Sequence, residues 1–240
     1  RSTPSNSSAA SDVYKRQIPT DRIIDGVDQT ALFLNGDSHS DILRGGAWGS
    51  RTVFAIDGMT GSTIWSHDTY QFPPSGWIYT ENQIDDVTGD DVPDVLAGAG
   101  SDCDKAFCFN GTNGDVIWQY LAEDAVSSIC MLSDINEDGY NEAVFGVMDN
   151  GQFIYCISGA SQGSGTILWT FNINESVFSV SAINDIDDDG YDDVIAGTWG
   201  RGVMAFSGHC FGNGIIVWEN PLSTYVMKVV SCSDLNSDGY

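Results

Sequence analysis

Carboxylates arrive in bursts along this chain, and their spacing within each burst repeats. Residues 185–193 read DIDDDGYDD, and DVTGDDVPD (86–94) and DINEDGYNE (134–142) place oxygen-bearing side chains at matching positions. Counted from one, those positions are 1, 3, 5 and 9, with glycine at 6 in two of the three stretches. Alternate residues of a tight turn converge on one point, and glycine at 6 permits the left-handed backbone such a turn needs. Hard oxygens converging in this way describe a Ca²⁺ site, which takes about 6–8 of them at roughly 2.3–2.6 Å.

The candidate ligands follow from the numbering. They are Asp185, Asp187, Asp189 and Asp193 with the carbonyl of Tyr191, and Asp134, Asn136, Asp138 and Glu142 with the carbonyl of Tyr140. A third set is Asp86, Thr88, Asp90 and Asp94 with the carbonyl of Val92; Thr88 at position 3 and Asp91 at position 6 make it the weaker site. DLNSDGY (234–240) adds Asp234, Asn236 and Asp238. Near the start, Asn35, Asp37 and Asp41 keep the spacing, but Phe33 at position 1 leaves that loop incomplete.

Two other readings use the same residue types. Solvated turns are also rich in Asp, Asn and Gly. Recurrence in register, each time after an apolar segment, favours the metal. An EF-hand loop opens alike but needs glutamate at position 12 and flanking helices. Position 12 here is Phe145 or Ala196, and the flanks are β-type.

The elements that must hold these loops are legible from the repeat around them. Four features recur in order: an apolar run such as VSSICML (126–132), the acidic loop, an acid–apolar–glycine segment such as DVLAG (94–98) or DVIAG (193–197), and a turn segment closing on tryptophan. The tryptophans are Trp65, Trp118, Trp169 and Trp218, and the loops begin at 86, 134, 185 and 234, a period of roughly 50 residues. Each period contains four short β-type segments divided by turn residues, with nothing of helical period. Four strands per repeat is the unit of a β-propeller blade. The expected fold is therefore all-β, a propeller of four-stranded antiparallel blades. Blades fall at about 35–70, 76–122, 126–173 and 177–222, with a truncated one at 226–240 and the inner strand of the first within 18–34. The chain is expected to be a piece of a longer protein, four blades and a stub.

Residues 1–17, RSTPSNSSAASDVYKRQ, read as translated sequencing-library adapter, expected to be disordered and excluded from fold reasoning. The remainder, 18–240, is one partial propeller. The 42% hydrophobic content of the full 240-residue sequence suffices for a core, and its formal charge of −25 excludes nucleic acid and anionic lipid as partners. Without a run of 18 apolar residues, no membrane insertion is expected.

The loops resemble the D-x-D-x-D-G-x-x-D calcium loops of FG-GAP repeats in integrin α-subunit propellers and bacterial VCBS-type proteins. FAIDGMTGSTIW resembles the tryptophan-docking signature of quinoprotein (PQQ) dehydrogenase propellers through Ala55, Asp57, Thr60, Gly61 and Trp65, and the second blade keeps Asn110, Gly114 and Trp118. Blades three and four retain Trp169 and Trp218 with a three-residue insertion. The adjacent cysteine pair of the quinoprotein enzymes is absent, so no PQQ chemistry is expected. One tryptophan per blade at fixed phase is expected to wedge between neighbouring sheets rather than stack on sugars in solvent. Cys108 and Cys156 share a slot with Ala55 and Ala205 and are expected as small core residues, while Cys103 and Cys108 flank a turn and offer a possible bridge. The three histidines, His39, His67 and His209, are placed in or near turns.

Together these features imply a non-catalytic, calcium-stabilised propeller acting as a binding or adhesion module. Its partner would be a protein or carbohydrate at the cell surface. The alternative is the scaffold of a secreted enzyme, a polysaccharide lyase or a quinoprotein. Weak calcium loops fill at extracellular concentrations of about 10⁻⁴–10⁻³ M, which places the chain outside the cell or on its surface.

Overall fold

Short alternating apolar runs separated by turn residues leave the backbone no partner except neighbouring strands. The computed structural model describes residues 33–47, 50–69 and 76–232. Residues 1–32 and 233–240 lie outside the described residues, and with them the segment read as adapter, most of the stretch expected to hold the first blade's inner strand, and the acidic stretch carrying Asp234, Asn236 and Asp238.

The described strands form four sheets that follow one another along the chain. The first contains β1 (Ile42–Gly45), β2 (Thr52–Ile56) and β3 (Thr63–Asp68). The second contains β4 (Trp77–Ile84), β5 (Asp94–Gly100), β6 (Lys105–Phe109) and β7 (Val116–Leu121). Next come β8 (Val126–Leu132), β9 (Glu142–Val147), β10 (Phe153–Ile157), the two-residue β11 (Gly163–Ser164) and β12 (Ile167–Asn172). Last are β13 (Val177–Ile183), β14 (Asp193–Thr198), β15 (Val203–Ser207), the two-residue β16 (Gly212–Asn213) and β17 (Ile215–Asn220). Apart from β11 and β16, consecutive strands within a sheet pair antiparallel, as a propeller blade requires. The fold is all-β, a partial propeller. Among the described residues no helix is long and apolar enough to cross a membrane. Residues 226–232 form no strand, yet the Val226 N–H donates to the Thr198 carbonyl at 3.0 Å, and Val229 is buried.

Burial differs by strand position. β5, β9 and β14 are buried along their whole length, because a neighbouring blade covers each face. Their glycines mark where the next blade's inner strand crosses. A Cβ at Gly98 would lie 2.6 Å from Val126 Cγ1, and one at Gly146 would lie 2.4 Å from Val177 Cγ1. Any side chain there would push two blades apart.

The tryptophans close the same interfaces. Trp65 Nε1 donates to the Gly111 carbonyl at 2.6 Å, and Trp169 Nε1 to the Gly208 carbonyl at 3.0 Å, each reaching into the following blade. Trp118 is fully buried, its indole N–H without an acceptor. The fourth departs from expectation: Trp218 is 41% exposed, because no described blade follows it. Opposite these indoles in register stand Ala55, Cys108, Cys156 and Ala205, so the slot must be small. That explains the two buried cysteines. The bridge between Cys103 and Cys108 does not form; all six cysteines are free thiols.

The three-residue insertions have a structural use. β11 leaves its own blade and pairs parallel with β7, Gly163 against Trp118; β16 does the same with β12, Gly212 against Trp169. Each insertion therefore covers the outer edge of the preceding blade. At the hub, the inner strands and residues 228–230 surround a cavity of about 270 Å³ whose lining includes Glu81, Asn82, Ser128, Ser181 and Lys228.

Candidate metal centre

Among the described residues, the acidic loops at 86–94, 134–142 and 185–193 each link an inner strand to the buried strand beside it, and the 33–41 loop runs into β1 in the same way. The ninth residue of each loop is the first of the strand that follows or immediately precedes it: Asp41, Asp94, Glu142 and Asp193, all fully buried. A buried carboxylate is costly unless hydrogen-bonded. Asp94 accepts from the N–H groups of Val87 (2.8 Å), Thr88 (3.0 Å) and Gly111 (2.8 Å). Asp193 accepts from Ile186 (2.7 Å) and Gly208 (2.9 Å), and Asp41 from Leu34 (2.7 Å) and Gly58 (3.1 Å). The acid thus staples its loop to the outer hairpin of its own blade, even in the 33–41 loop with Phe33 at position 1.

Glu142 is the exception. Its Oε2 accepts from the Gly159 N–H at 2.9 Å, but its buried Oε1 lacks a well-formed hydrogen bond, the Ile135 N–H only lying near enough to favour the charge. Burial pushes the Glu142 carboxyl up to about 8, with Asp138 and Asp134 adding repulsion. Burial likewise raises Asp94 and Asp193 to about 6, again with neighbouring loop carboxylates contributing.

The rest of each loop is shaped by its own side chains. Asp134 accepts from the N–H groups of Asp138 (3.2 Å) and Gly139 (2.8 Å), and Asp185 from Asp189 (3.2 Å) and Gly190 (2.8 Å). Asp86 makes the matching pair with Asp90 (3.2 Å) and Asp91 (2.7 Å). At position 6, φ is 91° for Gly139, 95° for Gly190 and 64° for Asp91. Position 4 is left-handed too, at Gly89 (81°), Glu137 (60°) and Asp188 (61°), a feature that only the glycine at 89 signals in the sequence.

Ligand atoms converge in two loops. Carboxylate oxygens of Asp134, Asp138 and Glu142 lie within 4.8 Å of one another, as do those of Asp185, Asp187 and Asp193. Asp189 stands outside its cluster, with its Oδ2 facing Ser207 Oγ at 3.3 Å and His209 Nδ1 at 4.0 Å. Asp86, Asp90 and Asp94 form no such group among the described residues. Hard oxygen donors around a buried, poorly satisfied carboxylate oxygen suit a hard divalent cation. Asn136 and the Tyr140 and Tyr191 carbonyls belong to these two loops and would complete the ligand sets.

Hydrogen bonds also tie loop to loop. Tyr191 Oη donates to Glu137 Oε1 at 2.7 Å, and Asn141 Nδ2 to Asp85 Oδ2 at 2.7 Å. His67, expected near a turn, instead sits on β3 with its ring 4.8 Å from that of Phe109.

No protein-family model matches the chain. In sequence it is similar to integrin alpha-8 of Mus musculus, 27% identical over 218 residues, which is 75% of this chain and 20% of that protein. The Homo sapiens integrin alpha-8 is 26% identical over 213 residues with the same coverage, 75% and 20%. In fold it is similar to Saccharomyces cerevisiae Sqt1, with TM-score 0.60 and 13% identity over 79% of this chain and 50% of that one. BamB from Moraxella catarrhalis gives TM-score 0.51 and 14% identity over 86% and 51%. The chain is an integrin-like β-propeller. It spans about a fifth of the length of the curated relatives it matches (20% of each). In this integrin-like propeller the two converging carboxylate clusters lie in adjacent blades, on the end where inner strands pass to buried strands.

Proposed function

We propose that the chain is a calcium-binding propeller module of an extracellular or cell-surface protein, engaging a protein or carbohydrate partner without catalysis. The observation that carries the metal is the Asp134–Asp138–Glu142 cluster, where three carboxylate oxygens lie within 4.8 Å and Glu142 Oε1 is buried without a well-formed hydrogen bond. A cation there would neutralise the mutual repulsion and bind the oxygen that the protein leaves poorly satisfied. The second cluster, Asp185, Asp187 and Asp193, supports the same reading one blade on. The sequence relatives are integrin α subunits, cell-surface proteins whose propellers bind divalent cations and protein ligands, and the proposal carries that setting to this chain. The cations brace the hinges between inner and buried strands, which keeps the blades rigid enough for loops to recognise a partner.

Calorimetric titration with Ca²⁺ tests the metal. Binding heat should appear for the parent and diminish in Asp134→Ala and again in the Asp134→Ala/Asp185→Ala double variant. A parent chain that evolves no heat and melts at the same temperature with millimolar calcium as with chelator would refute the proposal.

A further inference from the structure

The three described acid-rich loops follow one spacing rule but not one geometry, and the hairpins beside them differ as well. Each outer hairpin opens with a polar residue at the same repeat slot: Asp57, Asn110, Ser158 and Ser207. In the third and fourth blades one hydroxyl meets the fifth-position acid, Ser158 Oγ to Asp138 Oδ2 at 3.2 Å and Ser207 Oγ to Asp189 Oδ2 at 3.3 Å. The second blade is held harder. Asp90 Oδ2 accepts from Asn110 Nδ2 at 3.1 Å and from Thr112 Oγ1 at 2.9 Å, while Asp90 Oδ1 accepts from the Val92 N–H at 3.0 Å. Asn110 Nδ2 also reaches Thr88 Oγ1 at 3.2 Å, the oxygen at position 3. A carboxylate oxygen offers about two lone-pair sites, and Asp90 Oδ2 has both engaged by the outer turn. Asp138 Oδ2 takes only one donor from its hairpin, the other being Asn136 Nδ2 at 3.0 Å from its own loop.

We infer that Asn110 and Thr112 clamp Asp90 and Thr88 out of the ligand ring, so that the outer hairpin sets the calcium affinity of the loop beside it. This rests on the calcium reading proposed above. The residues act through Asp90 and Thr88, as positioning residues, and touch no cation themselves. In the third blade the fifth-position acid joins its cluster. In the fourth, Asp189 on Ser207 stays out, and the cluster takes Asp187 at position 3, which no hairpin residue holds among the described residues. In the second blade the hairpin holds both positions 3 and 5, and Asp90 joins no cluster.

A sequence transplant isolates the effect. Asn110→Ser with Thr112→Ala converts N-G-T at 110–112 into the S-G-A that the third blade carries at 158–160. In a background of Asp134→Ala, Asp185→Ala and Asp234→Ala, the 86–94 loop is the remaining complete site. Calorimetry with Ca²⁺ alone should show its affinity rising about 10- to 100-fold on transplantation, the range for residues that orient metal ligands, while the metal-free melting temperature does not rise. The reverse exchange in the parent chain, Ser158→Asn with Ala160→Thr, should weaken the 134–142 site by a similar factor, and needs no other loop to be altered. Unchanged affinities in both exchanges, with the parent still binding calcium, would overturn the clamp alone. A parent that binds no calcium would overturn the calcium reading and the clamp with it.

Discussion

Trp169 and Trp218 occupy the same slot of adjacent repeats, yet they should respond very differently to removal. At roughly 25 cal/mol per Å² and roughly 200 Å² for a buried indole, full burial at 169 contributes about 5 kcal/mol. The bond from Trp169 Nε1 to Gly208, at 3.0 Å, adds about 1 kcal/mol. Partial collapse around the new alanine recovers some of this, so Trp169→Ala should cost about 4–5 kcal/mol. Trp218, 41% exposed, keeps little more than half of that burial and finds no indole acceptor among the described residues. Its removal leaves a groove that water enters, not a void, and should cost about 2 kcal/mol. Urea unfolding followed by far-ultraviolet circular dichroism measures both, and Trp169→Phe guards against a chain too unstable to study. Equal losses at the two positions would show that the indoles act within their own blades, and the interlocking described above would be wrong.

Other outcomes follow from the same geometry. Gly146→Ala sets a Cβ 2.4 Å from Val177 Cγ1 and should cost about 1–3 kcal/mol, read as a lower urea midpoint with unchanged slope. Arg201→Met removes a partly exposed, bidentate ion pair to Glu219 (3.0 and 2.9 Å) and the bond from Nη1 to the Ile173 carbonyl (3.0 Å), and should cost about 1–2 kcal/mol by the same assay. The pH response has a definite sign. Because Glu142 is raised to about 8 and Asp193 to about 6, the metal-free fold favours their protonated forms. That contribution is complete below the ordinary carboxylate range and is lost as pH rises through those values. In chelator the melting temperature should therefore fall between pH 5 and pH 8.5, and less so in Glu142→Gln; a rise would contradict the burial argument. Calcium should restore most at the alkaline end, by about 2.7 kcal/mol at 100 times its dissociation constant.

The blades were legible because their period is written covalently. Trp65, Trp118, Trp169 and Trp218, the glycines that end DVLAG and DVIAG, and the acid spacing all report contacts that recur at fixed distance along the chain. What escaped depends on partners from elsewhere. Nothing at position 9 marks it as a staple, since the N–H groups that Asp94 and Asp193 accept come partly from Gly111 and Gly208 in the outer hairpin. Asn110 reads in the sequence only as a kept position of the tryptophan-docking signature, because its target, Asp90, is twenty positions away. The inserted residues at 163 and 212 gave a length but no destination, since parallel pairing with another blade leaves no periodic mark. Cys103 and Cys108 suggested a bridge by proximity in sequence, while Cys108 is fixed opposite Trp118, where a small side chain is what packing demands.

The outward reach of β11 and β16 gives this wheel a direction. Each rim is finished by material translated later, with Trp65 waiting 46 residues for Gly111 and Trp169 waiting 39 for Gly208. A ribosome releasing the chain would expose one unfinished rim at a time, sealed as the successor emerges. Pulling from either end must break such a seam, because each one joins two neighbouring teeth of the wheel.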